Sequence, residues 1–314
     1  MEHKKIKIIF FGTPDYVRPV LKNLAKRHEI VAVVTQPPKP TGRRQFLTYS
    51  PVDDWAFKRK IPVFRDFNKA LPNSDLGVLA AYGQIVPPRV LDAFPHGILV
   101  IHPSLLPQFR CGAPIPATII TNTNPTGVSI FKMGPKFDQG PIITQFKEEL
   151  LPTDTTETLR IRLFARSAEV LCDLIPAYMA GKIKPKNQDE TKATYAKAQA
   201  LTKENSFLPL EALKLAMVGK TFKEEWKIPF IENHQHIPLK VELTPTLIER
   251  FIRAMDPWPG TFTKIKIKNQ EIKRLKILRA HLEKNQLVLD EVQLEGKNPV
   301  SWKQFKEAYR FVTF

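Results

Sequence analysis

The 314-residue sequence has few glycines, few cysteines and no long apolar run. Its two cysteines, Cys111 and Cys172, show neither a zinc-ligand spacing nor a disulfide framework, which favours a reducing compartment. The apolar run from Ile8 to Phe11 is far shorter than the roughly 20 residues that cross a membrane. We therefore expect a cytoplasmic protein with no membrane partner and no bound metal.

Two glycine-rich nucleotide-binding motifs are also absent from the sequence. Neither G-x-G-x-x-G nor G-x-x-x-x-G-K-[ST] occurs, so the chain lacks the loops in which backbone amides hold dinucleotides and nucleoside triphosphates. A nicotinamide-dependent dehydrogenase is therefore disfavoured. The first apolar segment leads instead into Gly12-Thr13-Pro14, which predicts a tight turn.

Positive charge is abundant and unevenly distributed. Lys and Arg number 48 against 31 Asp and Glu, a formal net charge of +17. Residues 1–60 contain 13 basic and 5 acidic residues, and residues 261–314 contain 12 and 6. Such an excess favours a polyanionic partner, because basic groups that neutralise phosphates release condensed counterions.

A stripe of lysines near the C-terminus is one candidate contact for such a partner. Lys264, Lys266 and Lys268 alternate with uncharged residues, which places them on one face of a predicted strand. The alternative is an ordinary solvated edge strand, since edge lysines also discourage aggregation.

The hydrophobic pattern predicts an α/β domain followed by a small β domain. Apolar runs at 6–11, 30–35, 76–81 and 98–101 alternate with amphipathic segments, and the last two runs are continuous. This pattern is typical of a mostly parallel sheet covered by helices. A helix with Asp154 at its N-terminus is expected to bury Leu159, Leu163 and Val170 and to end near Gly181. We predict domains over 1–189 and 205–314, joined by a polar linker over 190–204.

A histidine and an aspartate are the leading candidates for chemistry. His102 follows the strand predicted at 98–101, at the edge where α/β proteins bind ligands, and its side chain suits proton transfer near neutral pH. Asp138 follows the apolar run Val128 to Phe131, so a neighbouring loop brings its carboxylate towards the imidazole. The alternative is a structural histidine and a turn aspartate.

These residues lie in segments that resemble a known family. The segments His102-Pro103-Ser104-Leu105-Leu106-Pro107 and Asp138-Gln139-Gly140-Pro141 are similar to the signature of the folate-dependent formyltransferases. Further segments resemble the branch of that family that acts on methionyl initiator tRNA. They are residues 9–15, residues 35–44 with 50–52, and residues 252–260.

The resemblance implies a fold and a reaction. The fold is a Rossmann-like formyltransferase domain with a C-terminal small, OB-like β-barrel that adds basic surface for tRNA. The reaction, a step of translation initiation, transfers a formyl group from 10-formyltetrahydrofolate to the α-amine of methionyl initiator tRNA. His102 would stabilise or protonate the oxyanion, and Asp138 would hold the imidazole or a water and help to remove the amine's proton. We expect the protein to act as a monomer.

The resemblance also implies two sets of binding residues. The folate pocket would be formed by Ser104, Leu105, Leu106, Pro107, Ala81, Tyr82 and Gly83. The substrate and tRNA contacts would be Gly12, Thr13, Pro14, Lys39, Arg43 and Arg44, to which the charge pattern adds Lys264, Lys266 and Lys268. For Arg43 and Arg44, the alternative is a solvated loop with no partner.

The sequence departs from the family pattern two residues before the histidine. The family has asparagine there, whereas this chain has Val100, whose side chain donates no hydrogen bond to an oxyanion. Loss of one such donor costs about 2.7–4 kcal/mol of transition-state stabilisation. Val100 therefore leaves open a catalytically weakened homologue that binds tRNA or folate. A second alternative is a sugar-nucleotide formyltransferase, which would leave the basic loop around Arg43 unexplained.

Overall fold

The structure is a computed structural model that describes residues 5–41, 45–267 and 271–310. Contacts between residues divide the chain into two compact units. The first consists of Met1–Pro107, Thr126–Glu148 and Arg160–Glu190. The second consists of Gln108–Pro125, Glu149–Leu159 and Thr191–Phe314.

A seven-stranded sheet forms the centre of the first unit. Its strands are β1 (Lys7–Gly12), β2 (Glu29–Val34), β5 (Val63–Phe64), β6 (Leu76–Ala80), β7 (Ile98–His102), β8 (Thr126–Lys132) and β9 (Ile142–Glu148). The strand order is β5-β2-β1-β6-β7-β8-β9. The pairs from β5 to β7 are parallel, and β8 and β9 pair antiparallel to their neighbours. The predicted mostly parallel sheet is thus confirmed.

The central strands are almost fully buried, which explains their continuous apolar sequences. The helices of this unit include α1 (Arg18–Arg27), α2 (Pro51–Phe57) and α3 (Pro88–Leu91). Between β2 and α2 the chain forms an antiparallel hairpin of β3 (Lys39–Thr41) and β4 (Phe46–Thr48), whose residues are exposed.

Antiparallel strands form the sheets of the second unit. One sheet contains β10 (Tyr195–Ala196), β11 (Phe222–Glu232) and β12 (Pro238–Leu243). The other contains β13 (Phe262–Lys266), β14 (Ile272–Glu283), β15 (Gln286–Leu294) and β16 (Val300–Ser301). The helices are α4 (Pro114–Thr121), α6 (Leu210–Met217), α7 (Pro245–Ala254) and α8 (Trp302–Ala308). The predicted β domain is therefore present; its closure into a barrel stays a prediction.

The boundaries between domains also stay a prediction. Strand pairing and the division into two units show how the residues near these boundaries are arranged. The segment predicted as a linker contains β10, which pairs with β11. Residues 108–125 and 149–159 belong to the second unit by their contacts, although they precede the predicted C-terminal domain in the sequence.

The long helix α5 (Thr156–Met179) begins one residue later than its predicted cap implies. The Thr155 hydroxyl accepts the Thr158 amide, and the Thr158 hydroxyl accepts the Thr155 amide, so these two residues form the reciprocal cap. The prediction that Asp154 is the cap is wrong, because its carboxylate instead accepts the Leu151 amide and the Thr158 hydroxyl. Leu159 and Leu163 are buried as predicted, whereas Val170 is only half-buried.

Candidate active site

His102 is the last residue of β7, at the carboxyl edge of the parallel strands. The strand is flanked by β6, where Ala80 pairs with Ile101, and by β8, where Ser129 pairs with His102. The His102 side chain is 6% exposed. Since alternate residues of a strand face the same side, Val100 and His102 share one face of the sheet.

Asp138 lies in the connection between β8 and β9. It has a left-handed backbone with φ of +52°, and its Oδ2 lies 3.7 Å from His102 Nδ1. Because β8 runs antiparallel to β7, its last residue, Lys132, lies beside Leu99, near the start of β7. Within the connection the chain therefore extends back towards the carboxyl end of β7, where Asp138 meets His102. The structure thus brings together the two side chains that the sequence singles out for proton transfer.

The segment that follows His102 is held by a serine in the neighbouring strand. Ser129 Oγ donates to the Ser104 carbonyl (2.7 Å) and accepts from the Leu106 amide (2.9 Å) and from Gln145 Nε2 (2.8 Å). A hydroxyl can donate one hydrogen bond and accept two, so the hydrogen-bonding capacity of Ser129 is completely satisfied. Gln145 Nε2 also donates to the Leu106 carbonyl, at 2.9 Å. Ser104 and Leu106 are buried, while Leu105 and Pro107 are partly exposed.

A second cluster of predicted residues surrounds the carbonyl of Tyr82. Thr13 Oγ1 and Gln36 Nε2 donate to that carbonyl, at 3.1 and 3.0 Å. Ala81 and Gly83, on either side, have positive φ of +48° and +76°. Because β1, β6 and β7 are parallel, the residues that follow β1 and β6 lie at the same edge of the sheet as His102.

The side chain of Tyr82 is anchored in the core rather than presented to a ligand. It is buried among apolar residues that include Phe11, and its hydroxyl donates to Gln84 Oε1 at 3.0 Å. Burial, with a smaller contribution from the charge of Asp66, raises the pKa of Tyr82 to about 12. Its phenol therefore stays protonated at neutral pH, and only its backbone faces the site.

Val100 is part of an apolar cluster on the His102 face of the sheet. It is buried with Leu106 and Phe131, and partly buried apolar residues pack against these three. The partly buried members are Leu79, Met133 and Ile142. The position that holds a polar amide in the family pattern is therefore surrounded by hydrocarbon in this chain.

Three of the predicted basic residues lie within the described part of the chain, and all three are exposed. Lys39, on β3, donates through Nζ to Gln36 Oε1 at 2.9 Å, which ties the hairpin to the Tyr82 cluster. Lys264 and Lys266 are exposed on β13, and Lys264 pairs across the sheet with Arg274. Arg43, Arg44 and Lys268 lie outside the described residues.

Sequence reasoning missed several residues that shape the site. Four of them hold its backbone segments: Gln36, Ser129, Gln145 and Gln188. Only Ser129 carries a signal, because it is a polar residue inside the apolar run of β8. The glutamines lie in stretches of ordinary surface composition, so no local pattern marks them.

Two further observations concern membrane-spanning helices and clusters of metal-ligating side chains. Among the helices that the structure describes, none combines the length and apolar character needed to cross a membrane. Within residues 5–41, 45–267 and 271–310, no three His, Cys, Asp or Glu side chains are grouped as metal ligands.

Comparison with known proteins places this geometry in a family. Residues 4–175 match the model "Formyl transferase", and residues 242–286 match "Formyl transferase, C-terminal domain". The chain is 37% identical over 268 residues to the methionyl-tRNA formyltransferase of Geobacillus sp. (strain WCH70). That match covers 82% of this chain and 74% of the relative. The chain belongs to the formyl transferase family.

Solved structures support the family assignment at the level of the fold. The methionyl-tRNA formyltransferase from Clostridium thermocellum superposes with a TM-score of 0.53 at 17% identity, over 92% of this chain and 98% of that one. The N-formyltransferase from Helicobacter canadensis, in complex with folinic acid and dTDP-3-aminofucose, gives 0.61 at 17% identity over 88% of each chain. At these identities the likeness concerns the fold, so the sequence relative carries more weight on substrate class.

Proposed function

We propose that this transferase moves the formyl group of 10-formyltetrahydrofolate to the α-amine of methionyl initiator tRNA. The observation that carries the proposal is the approach of His102 Nδ1 to Asp138 Oδ2, at 3.7 Å, where the parallel strands end. The sequence relative acts as support, since it is a methionyl-tRNA formyltransferase. The two alternatives from the sequence are not favoured by these comparisons.

The reaction requires two proton movements around one tetrahedral carbon. The neutral α-amine attacks the formyl carbon, the carbonyl oxygen becomes an oxyanion, and the bond between that carbon and folate N10 then breaks. The amine loses one proton and N10 gains one, so the protons balance. In this account His102 donates a hydrogen bond to the oxyanion, and Asp138 orients the imidazole and accepts the amine's proton.

The folate would bind beside the apolar cluster that contains Val100. A pterin ring requires apolar walls and a few backbone hydrogen bonds, and Leu106 and Phe131 supply such walls next to His102. The Ser104–Pro107 segment is held in place by Ser129, which leaves it ordered before the ligand arrives. Ala81, Tyr82 and Gly83 would contribute backbone atoms at the same edge.

The initiator tRNA would contact the hairpin of β3 and β4 and the lysines of β13. The hairpin bears Lys39 and the exposed apolar residues Phe46 and Leu47, and it also includes Arg43 and Arg44 in sequence. Exposed cationic side chains such as that of Lys39 suit contacts to phosphates. Lys264 and Lys266 present a second exposed basic strip in the second unit. We further propose a cytoplasmic protein that acts as a monomer.

An assay with purified components tests the proposal. The protein is incubated with 10-formyltetrahydrofolate and either methionyl initiator tRNA or an amino-sugar nucleotide. We expect formyl-methionyl-tRNA and no formylated sugar nucleotide. Formylation of the sugar nucleotide alone would contradict the proposed substrate, and no product from either acceptor at high protein concentration would contradict the proposed activity.

A further inference from the structure

The segment that follows α5 runs alongside the connection that bears Asp138. Lys186 and Ile142 exchange two backbone hydrogen bonds, both 2.8 Å long, in an antiparallel bridge. Gln188 follows two residues later, so its side chain is carried to the Asp138 connection by regular backbone pairing. Both segments belong to the first unit.

The amide group of Gln188 holds two backbone carbonyls of that connection. Its Nε2 donates to the Asp138 carbonyl at 2.7 Å and to the Gly140 carbonyl at 2.8 Å. Both partners are acceptors only, so the NH2 group and not the amide oxygen must face them. A single planar group therefore fixes the chain on both sides of Gln139.

Gly140, which accepts one of these two hydrogen bonds, is itself held in place by close packing. A Cβ placed on Gly140 would lie 1.8 Å from the Lys132 carbonyl oxygen, so the Gly140 backbone is pressed directly against β8. The Lys132 amide also donates to the Pro141 carbonyl, at 3.0 Å. The Gln188 amide thus links the Asp138 carbonyl to Gly140, whose backbone is closely packed against β8.

Asp138 depends on hydrogen bonds from its surroundings because its own backbone conformation is unfavourable. A residue other than glycine with φ of +52° occupies the sparsely populated left-handed region. The preceding residues 135–137 are exposed, so the packing that fixes Asp138 comes from the other side of the turn. A small rotation there would move the carboxylate away from His102.

We propose that Gln188 is a positioning residue for the reaction, which holds the Asp138 carboxylate within reach of His102. This inference rests on the proposed function, since it concerns the same site. Gln188 acts through the Asp138 and Gly140 carbonyls and takes no part in proton transfer itself.

Two substitutions at Gln188 and one at its neighbour test the proposal. Gln188→Glu keeps the shape but presents acceptors to two carbonyls, and Gln188→Met removes the donors without adding charge. Asn187→Asp, on the adjacent exposed residue, is the matched control for the change from amide to carboxylate. We expect kcat to fall about 10- to 100-fold in both Gln188 variants, while KM for both substrates stays unchanged. The control variant Asn187→Asp should keep the parental kcat and KM.

The pH dependence gives a signature that a general loss of stability would not. Protonation of the new carboxyl in Gln188→Glu restores one donor, so its kcat relative to the parent should rise as pH falls from 8 to 6. The same ratio for Gln188→Met and Asn187→Asp should stay flat. A flat ratio for Gln188→Glu, or a parental kcat in Gln188→Met, would overturn the proposal.

Amide hydrogen exchange keeps the test independent of turnover. Both Gln188 variants should exchange faster than the parent across residues 136–140, and the Asn187 control should not. Unchanged exchange in Gln188→Met would refute the positioning role even if the parent formylated no substrate. A parent without formylation, combined with faster exchange, would instead contradict only the proposed function.

Discussion

His102 Nδ1 and Asp138 Oδ2 lie 3.7 Å apart, although 36 positions separate them in the chain. The pair forms where the sheet changes from parallel to antiparallel, because β7 is parallel to β6 and antiparallel to β8. Since β8 ends beside Leu99, near the start of β7, the β8–β9 connection has to extend back along the sheet to bring Asp138 to His102.

Replacing Val100 with asparagine should destabilise the protein. The amide would be buried among Leu106, Phe131 and their apolar neighbours, and an unsatisfied buried amide costs about 1–3 kcal/mol. Urea denaturation of Val100→Asn should therefore give a lower free energy of unfolding than the parent. Unchanged stability together with a hundredfold gain in turnover would contradict this account. It would mean that the new amide is satisfied in its surroundings and supplies a hydrogen bond to the oxyanion that the parent lacks.

Replacing Ser129 with alanine should loosen the segment from Ser104 to Leu106. The change leaves the Ser104 carbonyl and the Leu106 amide without their partner, at a cost of about 1–3 kcal/mol. We expect a lower free energy of unfolding and a higher KM for the folate donor, with KM for the tRNA unchanged. Ser301→Ala, which removes the cap of α8 in the second unit, is a control that should lower stability without raising the folate KM.

Much of the fold and part of the site follow from the sequence. The buried strands were predictable because burial on both faces requires continuous apolar runs, and His102 was predictable because it ends such a run. The supporting contacts of Ser129 and Gln188 were not predictable, since they join positions 25 and 50 residues apart. The one-residue error at the cap of α5 arose because Asp154 and Thr155 are both good capping residues, and only the backbone course selects between them.

Removing Arg43 and Arg44, which lie between β3 and β4 in the sequence, should weaken tRNA binding. Arg43→Ala and Arg44→Ala should each lower affinity and reduce the slope of log K against log salt by about 1, because each loses one phosphate contact. Lys22→Ala, on the exposed face of α1, is a matched loss of one positive charge and should leave the slope unchanged. Equal affinities for all three variants would exclude the hairpin from the tRNA contact.

His281 should give the second unit a stability that depends on pH. Hydrogen bonds to Asp290 and then to Glu283 raise the pKa of His281 above its ordinary value. A raised pKa stabilises the fold fully below the unfolded pKa, about 6.5, and this contribution disappears as pH rises through the folded value. The Tm difference between the parent and His281→Gln should therefore be larger at pH 6 than at pH 9, and added salt should reduce it. A difference that grows with pH would contradict the assignment.

The pair of His102 and Asp138 is tested most directly by a double-mutant cycle on the single-turnover rate of formyl transfer to methionyl initiator tRNA. His102→Gln and Asp138→Asn should each slow transfer by about 10²- to 10⁴-fold, while His234→Gln on an exposed turn should not. Because the two groups act as a unit, the double variant should be about as slow as the slower single variant. Losses that multiply in the double variant, or a parental rate in either single variant, would contradict the account.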